Sequence, residues 1–145
     1  MTKLYDDFIM DYIRNARNFR VIQDASRTVH GANTFCGDEM TLYLRLEDER
    51  IEDIAFQCMS CGISMASASI MTEHVKGRPV SSTLNSIRAF IDLLHGNRIS
   101  PAVAAETWIQ AMLESLGDSR SRVGCATLAW TTLESALQSQ QPHSA

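Results

Sequence analysis

Met40-Thr41-Leu42-Tyr43-Leu44-Arg45-Leu46-Glu47-Asp48-Glu49-Arg50-Ile51-Glu52-Asp53-Ile54-Ala55-Phe56 is where this chain switches to a period of two. Met40, Leu42, Leu44 and Leu46 alternate with Thr41, Tyr43 and Arg45, the pattern of a half-buried strand. Glu47-Asp48-Glu49 turns the chain, and residues 50–56 return with Ile51, Ile54 and Phe56 facing inward. The pattern predicts an antiparallel hairpin within a small sheet.

On either side of the hairpin the spacing is helical or irregular. Upstream, Leu4, Tyr5, Phe8, Ile9, Tyr12 and Ile13 predict an amphipathic helix from residue 3 to about 15. Residues 16–37 lack a clean period: residues 25–29 suit a short strand, and Gly31-Ala32-Asn33 reads as a turn. Downstream, residues 63–76 form a helix rich in small side chains (Ala66, Ser67, Ala68, Ser69) that ends at Gly77 and Pro79. A second helix covers 82–95, with Leu84, Ile87, Phe90, Ile91 and Leu94 on one side and Gly96 as its stop. Ser100-Pro101 starts a third in cap-then-proline order, running to Gly117. Residues 118–124 read as a charged loop, and a last helix over about 125–138 carries Ala126, Trp130, Leu133 and Leu137 on one stripe. Met40, Phe56, Phe90, Trp108, Met112 and Trp130 are core positions by spacing. With no repeats and no linker, residues 1–145 read as one α+β domain, its core at 3–138 and a frayed tail at 139–145. About three antiparallel strands pack against an N-terminal helix and several C-terminal helices.

Bulk composition narrows the function classes. The 145 residues are 45% hydrophobic and 21% charged with a net charge of −4, which gives no general reason to bind nucleic acid or an anionic membrane. No apolar run approaches the ~20 residues that span a bilayer. Asp6 and Asp7 interrupt the only N-terminal apolar stretch, so no signal peptide is read there. The expected compartment is the cytoplasm, where four cysteines are metal ligands or catalytic groups before they are disulfides.

Three of those cysteines carry the chemistry: Cys36 in Cys36-Gly37-Asp38, Cys61 closing Cys58-Met59-Ser60-Cys61, and Cys125 in Arg122-Val123-Gly124-Cys125. Cys61 precedes one predicted helix and Cys125 begins another, where the partial positive charge of a helix N-terminus favours the thiolate. Gly37 and Gly62 give the backbone room to approach a ligand. Asp38, two residues from Cys36, shares its strand face. Cys36, Asp38, Cys61 and Cys125 thus suit one metal centre, zinc or iron–sulfur. Blander readings stand beside this: each cysteine as a small buried hydrophobe, and Asp38 as a solvated strand-end carboxylate. Two further alternatives are a thiol–disulfide oxidoreductase using Cys58 and Cys61, and a structural zinc module. Cys58 otherwise reads as a core or loop thiol. His30 is a candidate outer partner of the site. His74 and His95 belong to helix ends, and His143 to the tail.

Gly31-Ala32-Asn33-Thr34-Phe35-Cys36-Gly37-Asp38, Cys61-Gly62-Ile63-Ser64-Met65-Ala66-Ser67-Ala68-Ser69 and Cys125-Ala126-Thr127-Leu128-Ala129-Trp130 closely resemble the iron–sulfur cluster assembly scaffold family (IscU, SufU and the N-terminal domain of NifU). The likeness spans residues 3–138. The long interval from Cys61 to Cys125, with an insertion around 78–100, and the Arg122-x-x-Cys125 ending are similar to the SufU branch. The resemblance implies a metal site of Cys36, Asp38, Cys61 and Cys125 holding Zn2+ and/or a [2Fe-2S] cluster. It implies persulfide sulfur received from a cysteine desulfurase (SufS- or IscS-like), with Cys36 the acceptor in the SufU manner or Cys125 in the IscU manner. Arg122, by itself a solvated loop charge, has as its other reading a partner contact and thiolate stabiliser, and iron–sulfur acceptor proteins lie downstream. No nucleic acid or membrane is expected, and the state is a monomer or transient dimer. The protein is then a scaffold before it is an enzyme, with a zinc-dependent sulfurtransferase of SufU type as the enzymatic version. The apolar side of the first helix and the 78–100 segment are the candidate docking surfaces for the desulfurase. The chain departs from the family pattern at Cys58-Met59-Ser60-Cys61, where two glycines are replaced, at Thr34, where a proline is usual, and at Gly124, where lysine or histidine is usual.

Overall fold

The computed structural model describes residues 3–33, 37–59, 62–95, 109, 112 and 120–138. In chain order these contain α1 (Lys3–Arg14), β1 (Arg27–Asn33), β2 (Asp38–Glu47), β3 (Arg50–Met59), α2 (Gly62–Val75), α3 (Val80–Leu94) and α4 (Arg120–Gln138). The expected α+β class and antiparallel three-stranded sheet are both present, in spatial order β1-β2-β3. The hairpin loop is the two residues Asp48 and Glu49, at φ 52° and 61°, with Glu47 paired to Arg50. Positive φ at both positions is the turn that matches the right-handed twist of paired strands. Between Arg45 and Leu46 the register slips by one residue, leaving Glu52 as a bulge on β3. That extra residue lets both Ile51 and Ile54 face the core although they are three apart.

The helices cover one face of the sheet. Met40, Leu42, Leu44, Ile54 and Phe56 meet Met71, Ile87, Phe90, Trp130 and Leu133 in a continuous buried cluster, with the Phe90 and Trp130 rings 4.5 Å apart. A second cluster lies beneath α1, where Ile9, with Phe8, Tyr12 and Ile13, packs on Ala66, Ile70, Met112 and Ala126. Among the described side chains, Phe8, Ile9, Tyr12 and Ile13 thus take part in packing on this side of α1. The outer edge of β3 is also covered: Arg20 N–H donates to Phe56 O (3.1 Å) and Phe56 N–H to Asn18 O (3.0 Å). Near its start, Ile51 N–H donates to Arg78 O (2.9 Å).

Three sequence expectations need correction. β1 runs to Asn33, so Gly31-Ala32-Asn33 is strand, paired with Met40, Glu39 and Asp38, and not a turn. Its glycine marks a close crossing, because a Cβ there would lie 2.0 Å from Thr132 Oγ1 of α4. Residues 120–124, expected within a charged loop, are helix, with α4 running over Arg120–Gln138. α3 starts at Val80, directly after Pro79, two residues ahead of expectation. Of the helix expected over 100–117, only Ile109 and Met112 are described, both buried. Trp108 and the tail 139–145 lie outside the described residues.

Candidate metal and sulfur site

Asp38 opens β2 on the inward face it shares with Met40, Leu42 and Leu44, and is only 4% exposed. It is therefore not a solvated strand-end carboxylate. Ser64, third residue of α2 and equally buried, places its Oγ 2.8 Å from Asp38 Oδ2 and 2.9 Å from the backbone carbonyl of Cys125. One hydroxyl proton thus lies between a carboxylate of β2 and a carbonyl of α4. The contact also puts the carboxylate beside the first turn of α2, where the helix dipole favours negative charge. A buried carboxylate without such partners would be strongly destabilising.

A second junction braces the same end of the sheet. Asn33 pairs with Asp38 across the strands, and its carbonyl accepts from Gly37 N–H at 2.9 Å. Gly37 has φ +74°, a conformation that costs glycine little. The Asn33 amide packs on α4 at Gly124, where an added Cβ would sit 2.7 Å from Asn33 Nδ2. Gly124 is thus matched to Asn33: the space that a larger residue before Cys125 would need is filled by the amide.

Of the expected site residues, the described structure brings together Asp38 and Cys125. Cys36 and Cys61 lie outside the described residues, bracketed by Asn33 and Gly37 and by Met59 and Gly62. Among the described residues no group of three or more His, Cys, Asp and Glu side chains is placed to hold a metal. Cys125 is buried, but it does not begin a helix. It is the sixth residue of α4, beyond the first turn where the dipole effect is concentrated. Arg122 belongs to the helix backbone of α4, and its side chain is outside the described set. Cys58 faces inward on β3 with its Sγ 3.9 Å from Met65 Sδ, in keeping with a core thiol. His30 is exposed on the opposite sheet face from Asp38 and pairs through Nδ1 with Thr41 Oγ1 (2.9 Å), so it does not support the site. His95 caps α3 through its backbone N–H.

Sequence reasoning missed Ser64 and Asn33. The available signal was position: a hydroxyl in the first turn of the helix after Cys61, and an amide just ahead of the Cys36 loop.

The hydroxyls further along α2 hold backbone. Ser67 Oγ donates to Ala126 O (2.5 Å) and accepts from Trp130 Nε1 (3.0 Å). Ser69 Oγ accepts from Arg17 N–H (2.7 Å), and Thr72 Oγ1 accepts from Asn18 Nδ2 (3.1 Å). Beyond them Tyr12 donates to Glu73 at 2.5 Å, with the Arg17 guanidinium 4.0 Å from its ring centroid. Partial burial and the Glu73 carboxylate push the Tyr12 phenol up to about 12.

The site residues fit a bound zinc ion. Zinc takes thiolate sulfur and carboxylate oxygen in tetrahedral sites, and Asp38 is already desolvated and held by a donor to one oxygen. An iron–sulfur cluster, as assembled cargo, suits the same soft sulfur donors.

A family model for NifU-like N-terminal domains matches residues 4–92. The chain is 35% identical over 138 residues to the zinc-dependent sulfurtransferase SufU of Bacillus subtilis, covering 95% of this chain and 92% of that protein. It is 35% identical over 136 residues to the iron–sulfur cluster assembly scaffold protein IscU of Thermotoga maritima, covering 93% of each. The crystal structure of FiSufU from Fervidobacterium islandicum AW-1 superposes with a TM-score of 0.83 at 31% identity, over 91% of this chain and 95% of that one. A NifU-like N-terminal structure from Brucella abortus, 18% identical, shares the fold with a TM-score of 0.76 over 90% of each chain.

Proposed function

The chain belongs to the NifU-like N-terminal domain family, and on that premise we propose that it is an iron–sulfur cluster assembly scaffold that accepts persulfide sulfur from a cysteine desulfurase. Cys36, Asp38, Cys61 and Cys125 form its site. The observation that carries this reading is the Ser64 hydroxyl between Asp38 and Cys125, which ties two of the four residues together across the sheet and α4.

Bound zinc would keep its thiolate ligands deprotonated and nucleophilic at neutral pH. The acceptor thiolate, on Cys36 or Cys125, attacks the outer sulfur of the desulfurase persulfide. That S–S bond breaks, the desulfurase cysteine leaves as a thiolate, and the acceptor carries the transferred sulfur. Asp38 would be the hard, more displaceable member of the donor set beside the three cysteines. Arg122 sits three residues before Cys125 on α4, the spacing of helical neighbours, and its role is to stabilise that thiolate and meet the partner. A cytoplasmic setting, which keeps thiols reduced, suits this chemistry. Among the described residues no helix is long and apolar enough to cross a membrane.

The test is anaerobic. Zinc, iron and acid-labile sulfide per chain are measured before and after incubation with cysteine desulfurase, cysteine and ferrous iron. A scaffold gains iron and sulfide together. A second outcome, zinc retained with persulfide on Cys36 or Cys125, makes the protein a sulfur relay, a reading favoured by the similarity to a zinc-dependent sulfurtransferase. A chain that gains neither persulfide nor iron and sulfide contradicts both.

A further inference from the structure

We infer that Ser64 is the positioning residue for Asp38, fixing the carboxylate relative to Cys125 so that the two can serve one metal. The inference rests on the site proposed above. Ser64 and Asp38 are 1% and 4% exposed, so water is a poor substitute for the hydroxyl. The hydroxyl reaches one carboxylate oxygen at 2.8 Å and the Cys125 carbonyl at 2.9 Å, and those acceptors come from different elements, β2 and α4. A carboxylate ligand needs such an outer partner to hold its rotamer, and losing one commonly costs ~10–100-fold in metal affinity. The hydroxyl's two acceptors share one proton, so Asp38 leaving its ligating position leaves the Ser64 hydroxyl with the Cys125 carbonyl as partner. Ligand exchange at Asp38 therefore need not strand a buried donor.

The test follows zinc release from the loaded full-length protein to a chromophoric chelator, with the Co(II)-substituted absorption spectrum as a second readout. Wild type, Ser64→Ala, Asp38→Ala and the double variant are compared, with circular dichroism to confirm folding. Ser64→Ala should release zinc ~10-fold faster or more and shift the Co(II) ligand-field bands. The double variant should release zinc at the Asp38→Ala rate, because Ser64 acts through the carboxylate. Wild-type release from Ser64→Ala, beside fast release from Asp38→Ala, overturns the positioning role alone. Effects that multiply in the double variant overturn it too, since Ser64 would then act independently of Asp38. Wild-type release from Asp38→Ala removes the carboxylate from the ligand set, and with it the reading on which the inference rests.

Discussion

The two ends of α2 use the same kind of side chain on different partners. At its C-terminal end Ser69 and Thr72 meet the backbone and amide of residues 17–18 and, for Thr72, the Ser69 carbonyl, and the ionisable groups beyond them, Tyr12, Arg17 and Glu73, are partly solvated. At its N-terminal end Ser64 holds a carboxylate almost wholly removed from water. Bonding to backbone stabilises a fold at little risk. Burying an ionisable group is costly unless its partners are good, and proteins keep such groups where they do something besides hold shape. The contrast separates a fastening from the proposed site within one helix.

The sharpest way to break that comparison is Asp38→Asn, which keeps shape and removes charge. Zinc affinity should fall by more than the ~10–100-fold typical of an outer partner, while apo stability in urea stays within about 1 kcal/mol of wild type or rises. In the middle of the helix, Ser67→Ala removes the acceptor of the Trp130 indole N–H and a donor to Ala126 O. It should cost ~1–3 kcal/mol, read from the urea midpoint, with little change in zinc release. Ser69→Ala takes the acceptor from Arg17 N–H and should cost about 1 kcal/mol without touching the metal. The smallest effect belongs to Tyr12→Phe. The folded phenol titrates near 12 and the unfolded one near ~10. Between those values the unfolded chain loses its proton first, so stability falls as pH rises. Urea midpoints measured across that window should show a shallower alkaline decline in Tyr12→Phe than in wild type.

Much of this was legible before the structure. Met40 to Phe56 reads as a hairpin because one face is apolar at every second residue, and only the bulge at Glu52 was hidden, since Ile51 and Ile54 break the period without announcing why. β1 was harder to read to its end. Its inward positions include Gly31 and Asn33, chosen for close approach to Thr132 and Gly124, so hydrophobic alternation is absent where the strand is most constrained. The start of α4 was obscured for a related reason. Arg120, Ser121 and Arg122 are polar and Gly124 reads as a breaker, yet the glycine is there to admit the Asn33 amide. The candidate ligands stood out by chemistry. Their supports did not, because Ser64 looks like one more small residue in a helix of small residues. Only tertiary placement distinguishes it from Ser69.

The central claim is the donor set, and X-ray absorption at the zinc edge of the loaded protein tests it most directly. The account predicts three sulfur neighbours at ~2.3 Å and one oxygen at ~2.0–2.2 Å, with the oxygen altered in Asp38→Ala. Four sulfurs and no oxygen would place Cys58 in the site instead of Asp38, and would contradict the account.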